Sequence, residues 1–376
     1  MRNRAKKGMI EMERAKISVM QLFSLMLIFN MGTAVVISYG AKAGKDAWLA
    51  ILLAICGGVA IFFIYYYPFR QYPHLLFTEY IRKIFGKYLG WGLGLIYCLF
   101  FLYICGRNVR EFGDLILSST LTETPLLVIN LTFILVICYV IHLGVEVLGR
   151  SAEVFIVILI VLGALGNFLV LVSGDVDFER IRPVLEHGWK PILSTTFPTL
   201  ISFPFAEMIV FTMLLPYLNR PQLVKRVWLS AVISSGLILS WTVMLNISVL
   251  GLEVMKRSTF PLLMAVGKVH LLEFIERMDV IVVFTLLITV FFKASVYLYG
   301  GVIGIANLFK VENYNHILLP IGTIVIFLSL VMSSSFSEQT EEGVINQYMV
   351  LILFIIIPFI MLAVLMVRQY IKRKRH

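Results

Sequence analysis

The chain has 376 residues, of which 60% are hydrophobic and 14% are charged, and its formal net charge is +10. Ordinary soluble domains carry about 25% charged residues, so a soluble fold of this length would leave much apolar surface exposed to water. Twenty of the 32 basic residues are spread over six loops and tails and form no single patch. This spread argues against a nucleic-acid-binding groove.

Apolar runs of about 20 residues recur along the whole sequence, and each is long enough to cross a bilayer as a helix. Backbone polar groups in lipid find no water, so such runs must be helical. The predicted spans, in chain order, are 17–40, 46–66, 91–117, 126–141, 153–172, 192–216, 228–251, 279–303, 316–335 and 347–367. The expected fold class is therefore an all-α polytopic membrane protein with about ten transmembrane helices.

The distribution of lysine and arginine predicts the orientation of these spans. One set of loops and tails holds 20 basic residues, whereas the opposite loops hold 9, and the richer side is expected to face the cytoplasm. The loop at 252–278 has a helical apolar pattern and is expected to form an external helix. The resulting division is a cytoplasmic tail (1–16), a first five-helix repeat (17–172), an external loop (173–191), a second five-helix repeat (192–367) and a basic cytoplasmic tail (368–376).

A five-helix unit repeated in tandem must insert upside down the second time, which is typical of secondary transporters. Such folds interrupt the first helix of each half at mid-membrane. The first span carries Asn30-Met31-Gly32-Thr33 at its middle, and the sixth carries Phe203-Pro204-Phe205-Ala206-Glu207. A glycine costs about 1 kcal/mol in a helix interior and a proline about 3 kcal/mol. Breaks at matching depths predict a socket in which free backbone groups bind a zwitterion, although glycine and proline are also commoner in membrane helices.

The candidate ligand-binding residues follow from these breaks. Hydroxyl-bearing residues of other spans could line the same space, although such hydroxyls also join helices together. The full candidate set is Asn30, Met31, Gly32, Thr33, Tyr97, Phe203, Pro204, Phe205, Thr285 and Thr289.

Glu207 and Lys293 lie near the middles of their spans, and neither has an opposite charge within one turn of its own helix. An ionisable group at membrane depth faces a partner or a cavity. We expect the two to satisfy one another or backbone carbonyls, and Lys293 to supply a fixed cation in place of a sodium ion; a purely structural role for Lys293 is the alternative. In the third span, Arg107, Glu111 and Asp114 are expected to form a ladder of charges on one helix face.

The sequence has no Ser/His/Asp, Cys/His or clustered histidine arrangement, and its four cysteines all lie inside predicted spans. We therefore expect no catalytic residues, no metal site and no cofactor. The cysteines are interpreted as packing residues.

A series of short motifs in a specific order resembles the spore germination receptor B subunits, a branch of the amino acid–polyamine–organocation transporter superfamily. The motifs are Ile17-Ser18 with Gln21-Leu22, Met31-Gly32-Thr33, Thr124-Pro125, Gly144 with Glu146 and Arg150, Arg182-Pro183-Val184-Leu185 with Gly188, Phe203-Pro204-Phe205 with Glu207, Phe260-Pro261, Glu276-Arg277-Asp279, and Lys293 with Tyr297.

This resemblance implies a LeuT-like bundle with a five-plus-five inverted repeat, in the inner membrane of a bacterial spore and with both termini in the cytoplasm. The implied partners are a receptor A subunit, a lipoprotein C subunit and a small nutrient ligand. The implied function is nutrient sensing that triggers germination. The alternative function is that of an amino-acid permease of the same superfamily.

Overall fold

A computed structural model describes residues 16–37, 39–267, 279–332, 343 and 345–374. Within these residues, seven helices are long and apolar enough to cross a membrane, and three shorter apolar helices accompany them. Together they correspond to the ten predicted spans, so the all-α polytopic fold is confirmed.

The first half of the bundle contains six helices. They are α1 (Val19–Met31), α2 (Ala47–Gln71), α3 (Phe77–Phe85), α4 (Lys87–Ser119), α5 (Leu126–His142) and α6 (Val145–Val172). Helix α3 is a short amphipathic helix that connects α2 to α4. A 3-10 segment, Ala41–Asp46, precedes α2.

The second half begins with α7 (Trp189–Thr195), which continues into a wide-turn segment, Thr196–Phe205, and a 3-10 segment, Ala206–Met213. The remaining helices are α8 (Val224–Leu250), α9 (Leu252–Arg257), α10 (Pro261–Gly267), α11 (Asp279–Phe309), α12 (Asn315–Val331) and, after a wide-turn segment at Leu351–Ile356, α13 (Ile357–Lys374).

Several helix bounds differ from the predicted spans. Helix α6 begins at Val145, eight residues before the predicted start. The predicted span began later because it left out the charged residues Glu146 and Arg150. Glu146 and Arg150 pair across one turn at 2.5 Å, so their charges are compatible with a helical start. In the loop at 252–278, the structure places α9 and α10, and the part from 268 to 278 lies outside the described residues.

Close helix packing positions α11 at the centre of the bundle. A Cβ atom at Gly301 would lie 2.6 Å from Leu102 Cδ2 of α4, so glycine allows these two helices to approach closely. This approach buries the middle of α11, including Lys293.

One end of the bundle is tied by backbone hydrogen bonds. The Ile17 N–H donates to the Tyr217 carbonyl (2.9 Å), and the Asn219 N–H donates to the Ile17 carbonyl (3.1 Å). The start of α1 is thereby joined to the end of the interrupted helix of the second half. At the other end, Asp46 accepts from the Leu185 N–H at 3.0 and 3.1 Å.

Candidate functional site

The first break follows α1, which ends at Met31. Gly32 has φ 35° and ψ −134°, a conformation that L side chains rarely adopt. Residues 32–37 then form turns. Among the described residues, no backbone acceptor takes a hydrogen bond from the N–H groups of Thr33 and Ala34. The break at the predicted position is confirmed, and it leaves backbone groups available at the end of α1.

The second break lies in the segment Thr196–Phe205, where Phe197 (φ −117°, ψ 126°) and Phe203 (φ −121°, ψ 125°) are extended. Each of these residues precedes a proline, Pro198 or Pro204, and the proline ring excludes the helical conformation for the residue before it. The interruption at Pro204 is the predicted one, whereas that at Pro198 was not predicted. The Phe-Pro pair at both places is the signal that predicts two interruptions.

The two breaks meet at a buried ion pair. Lys293 Nζ lies 2.7 Å from Glu207 Oε2, and the side chains are 0% and 4% exposed. The ammonium group also lies over the Phe203 ring, 4.3 Å from its centroid, and 5.4 Å from the centroid of Phe29. Aromatic faces attract a cation, so a residue of each interrupted helix contacts the same charge.

The path of Lys293 depends on Gly32. A Cβ atom at Gly32 would lie 2.6 Å from Lys293 Cδ and 3.0 Å from the Phe29 carbonyl oxygen. One turn earlier on α11, the Thr289 hydroxyl donates to the Gly32 carbonyl at 2.9 Å. Helix α11 therefore supplies both the hydroxyl that holds the first break and the cation that fills it.

Tyr39 holds the second break and was not among the predicted residues. Its hydroxyl donates to the carbonyls of Leu200 (3.0 Å) and Phe203 (2.5 Å), and its ring packs edge-on against Phe203 at 5.8 Å. A tyrosine near the end of an apolar run usually indicates the membrane interface, so the sequence pattern gave no sign of this contact.

Asn30 is fully buried beside the first break. Its amide group donates to Ser235 Oγ (3.0 Å) and contacts Met208 Sδ (3.2 Å). Within the described part of the chain, Asn30 Oδ1 has no hydrogen-bond partner. A buried acceptor without a donor is costly, and it is available to a ligand that brings an ammonium or hydroxyl group.

A second group of charges lies on α4. Arg107 and Glu111 pair at 3.7 Å, and Arg110 and Asp114 pair at 3.0 Å. The structure thus divides the predicted single ladder into two pairs and assigns Asp114 to Arg110. The electrostatic neighbours of Glu111 include Arg107, Lys293 and the Thr33 hydroxyl, so this carboxylate also faces the first break.

Two further predicted residues are Phe205, the last residue of the second break, and Tyr97 of α4. Phe205 packs against Gly58 of α2 and Gly236 of α8. Tyr97 donates to the Leu353 carbonyl and packs against Phe77 at 4.7 Å, in an aromatic cluster between α3, α4 and the segment Leu351–Ile356.

A cavity of about 470 Å³ lies between α1, α6, α8, α10 and α11. Its lining is almost entirely apolar. Met31, Thr285 and Thr289 are among the lining residues. The cavity therefore reaches the first break at Met31, while Lys293 and Glu207 are not part of its lining.

Comparison with solved structures shows the same fold. A nucleobase-cation-symport-1 family transporter, Mhp1, in a closed conformation with bromovinylhydantoin bound, superposes with a TM-score of 0.72 at 14% identity, covering 93% of this chain and 78% of the other. MhsT in complex with L-phenylalanine gives a TM-score of 0.64 at 13% identity, covering 92% and 88%. The bundle therefore has the LeuT-like fold of these transporters, with interrupted first and sixth helices.

Sequence comparison gives the family. Residues 16–337 match the family described as spore germination protein. Spore germination protein KB of Bacillus subtilis (strain 168) is 38% identical over 348 residues, covering 93% of this chain and 92% of that protein. Spore germination protein B2 of the same organism is 28% identical, covering 73% and 74%. The chain therefore belongs to the spore germination protein family, the group that its motifs identify as spore germination receptor B subunits.

Proposed function

We propose that this chain is the nutrient-sensing subunit of a spore germinant receptor and binds a small nutrient between its two helix breaks. The observation that carries the proposal is the convergence of both breaks on the buried pair of Lys293 and Glu207. Burying two charges at membrane depth is expensive. Ion pairs of this kind are retained where a fixed charge is needed, as in a binding site or a switch.

The groups around the breaks favour a zwitterion such as an amino acid. The N–H groups of Thr33 and Ala34 supply donors for a carboxylate. Asn30 Oδ1 and the Glu207 carboxylate supply acceptors for an ammonium group. In the structure the Lys293 side chain lies against Gly32. A ligand must therefore compete with Lys293 for Glu207, and this competition links binding to a rearrangement of both helices.

The proposed response is a shift of population rather than transport. A ligand that binds one arrangement of the breaks better than the other biases the equilibrium between them. The proposed partners that receive this bias are an A subunit and a lipoprotein C subunit in the inner spore membrane. Lys293, whose amine is fixed beside Glu207, takes the place that a bound sodium ion would have in a sodium-coupled transporter.

The test of this function is deletion of the gene in its sporulating host, followed by germination assays over a panel of amino acids, sugars and nucleosides. We expect the response to one nutrient or one class to be lost, and reintroduction of the wild-type chain to restore it. Unchanged germination with every nutrient would contradict the receptor function.

A second candidate function is that of an amino-acid permease, which the similarity to Mhp1 and MhsT favours. Vesicles that contain this chain alone distinguish the two. Accumulation of a labelled nutrient against its gradient would support the permease, whereas binding without accumulation would support the sensor.

A further inference from the structure

The cavity beside the first break has few polar side chains in its lining. Its polar side chains all have hydrogen-bond partners already. Thr242 and Thr285 donate to carbonyls of their own helices (Ile238 and Ile281, at 2.9 and 2.8 Å), and Thr289 donates to Gly32. The O–H donors of these three threonines are therefore already used, and the cavity offers a ligand mainly apolar contact.

The polar side chains in the outer part of the cavity are also hydrogen-bonded to one another or to the backbone. Asn167 donates to the Gly163 carbonyl at 2.7 Å and accepts from the Trp241 indole N–H at 2.6 Å. The bond from Trp241 bridges α6 and α8, and the two bonds together engage both the nitrogen and the oxygen of the amide. A lining with so few polar groups favours an apolar occupant over the zwitterion proposed for the breaks.

The cavity opens toward the bilayer between α6 and α8. Ile160 of α6 is 62% exposed, and Leu237 of α8 is 52% exposed, and both line the cavity. Residues exposed on an apolar transmembrane helix face hydrocarbon. The lining is thus continuous with the lipid-facing surface, and lipid chains are the apolar material that reaches its mouth.

The size of the cavity supports the same occupant. An apolar cavity of about 150 Å³ holds one benzene molecule, and this cavity is about 470 Å³. Atoms that line an empty space lose dispersion contacts, so an apolar cavity of this size that is open to hydrocarbon is more stable when it is filled.

We propose that this cavity binds an acyl chain of a bilayer phospholipid, which enters between α6 and α8 and reaches Met31 and Thr289. The chain then contacts the last residue of α1 and the threonine that holds the Gly32 carbonyl. The acyl chains of the surrounding membrane thereby influence the arrangement of the first break. This site adjoins the proposed nutrient site at Met31 and Thr289, and it does not depend on the identity of the nutrient.

Photolabelling of the purified full-length chain tests this proposal. The chain is reconstituted in phosphatidylglycerol vesicles with a tracer of phosphatidylglycerol that carries a diazirine in the middle of one acyl chain. After photolysis, label on the peptide that contains Met31 is compared with label on the peptide that contains Ile324, a residue of α12 that is 55% exposed. We expect labelling of both peptides in the wild-type chain.

Two glycine substitutions make a matched pair. A Cβ atom at Gly163 or at Gly92 of α4 would meet nothing within 4 Å. Gly163 lines the cavity, whereas Gly92 does not. Leucine improves helix propensity at either place, so both variants are expected to fold. Gly163→Leu should lower the Met31-to-Ile324 label ratio about tenfold, because its side chain occupies the cavity, and Gly92→Leu should leave the ratio unchanged.

Three results would overturn the proposal. The first is an unlabelled Met31 peptide in the wild-type chain, which needs no variant. The second is an equal label ratio in Gly163→Leu and wild type. The third is displacement of the label by an excess of free L-leucine, which would assign the cavity to a zwitterionic nutrient.

Discussion

Two lysine–glutamate pairs in this molecule have nearly the same geometry and very different surroundings. Lys293 and Glu207 are 2.7 Å apart with side chains 0% and 4% exposed, whereas Lys45 and Glu186 are 3.0 Å apart with side chains 29% and 43% exposed. Exposed pairs contribute about 0–1 kcal/mol to stability. In a buried pair, loss of one partner leaves an uncompensated charge. Burial rather than distance therefore determines what each pair does.

The two pairs also contact different parts of the molecule. The buried lysine lies against Gly32 and the Phe203 ring, so its position depends on both helix breaks. The exposed lysine also donates to the Arg182 carbonyl at 3.0 Å and joins a surface loop to the segment before α2. The first pair joins the two helix breaks, where the proposed ligand binds, and the second closes one end of the bundle.

The largest expected effect is that of breaking the buried pair. Lys293→Met or Glu207→Gln should each lower the free energy of unfolding by about 3–5 kcal/mol, because the remaining group is left unpaired in the interior. The double variant should lose less than the sum of the two. Denaturation of the purified chain in detergent measures these differences, and additive losses would contradict direct coupling.

Substitution of Gly32 tests whether the position of Lys293 matters. Gly32→Ala should lower the free energy of unfolding by about 1–3 kcal/mol, because a positive φ strains a side-chain-bearing residue and the new methyl group overlaps Lys293 Cδ. If this overlap displaces the ammonium group, Gly32→Ala and Lys293→Met should be non-additive. Gly92→Ala, at an open position of α4, is the control and should be neutral or slightly stabilising.

A smaller effect is expected for Tyr39, which packs against Phe203 beside the buried pair. Tyr39→Phe should lower the free energy of unfolding by about 1 kcal/mol, because the Leu200 and Phe203 carbonyls lose a donor. Tyr103→Phe on α4, outside the site, should have a smaller effect in the same thermal denaturation assay. Equal effects would mean that the hydroxyl of Tyr39 does not hold the second break.

The smallest effect is expected for the exposed pair, and it depends on pH and salt. A hydrogen bond and the charge of Lys45 lower the pKa of Glu186. A lowered pKa in the folded state stabilises the fold above the unfolded-state pKa, and this contribution is lost as the pH falls through the folded-state value. Lys45→Met should therefore slightly reduce thermal stability at neutral pH, and less so in acid or in high salt. A salt-independent loss as large as that of Lys293→Met would contradict the comparison.

Features that depend on hydropathy and on backbone-breaking residues were predictable from the sequence. The ten spans follow from length and apolar composition, and both interruptions follow from Gly32 and Pro204. The interior positions of Glu207 and Lys293 follow from the cost of an isolated charge in lipid. Each of these arguments needs only local sequence and the properties of the bilayer.

Features that depend on helix rotation and on contacts between distant segments were not predictable. The direction of the Tyr39 hydroxyl is fixed by the turns after Gly32, which no periodicity describes. Tyr97 looked suitable for a cavity because it is polar and central, but rotation of α4 directs its hydroxyl to the Leu353 carbonyl. The pairing of Asp114 with Arg110 is different, because these side chains are four residues apart on α4; this local pair was readable from the sequence, and the predicted ladder omitted it.

The central claim, that nutrient binds at the helix breaks, is tested most directly by two neighbouring threonines of α11. The Thr289 hydroxyl holds the Gly32 carbonyl, whereas the Thr285 hydroxyl is bonded to Ile281 of its own helix. Equilibrium binding of the tritiated nutrient identified by the germination panel is measured for the wild-type chain, Thr289→Val and Thr285→Val in nanodiscs. The account predicts a Kd about tenfold higher for Thr289→Val and an unchanged Kd for Thr285→Val; equal affinities in all three chains would contradict it.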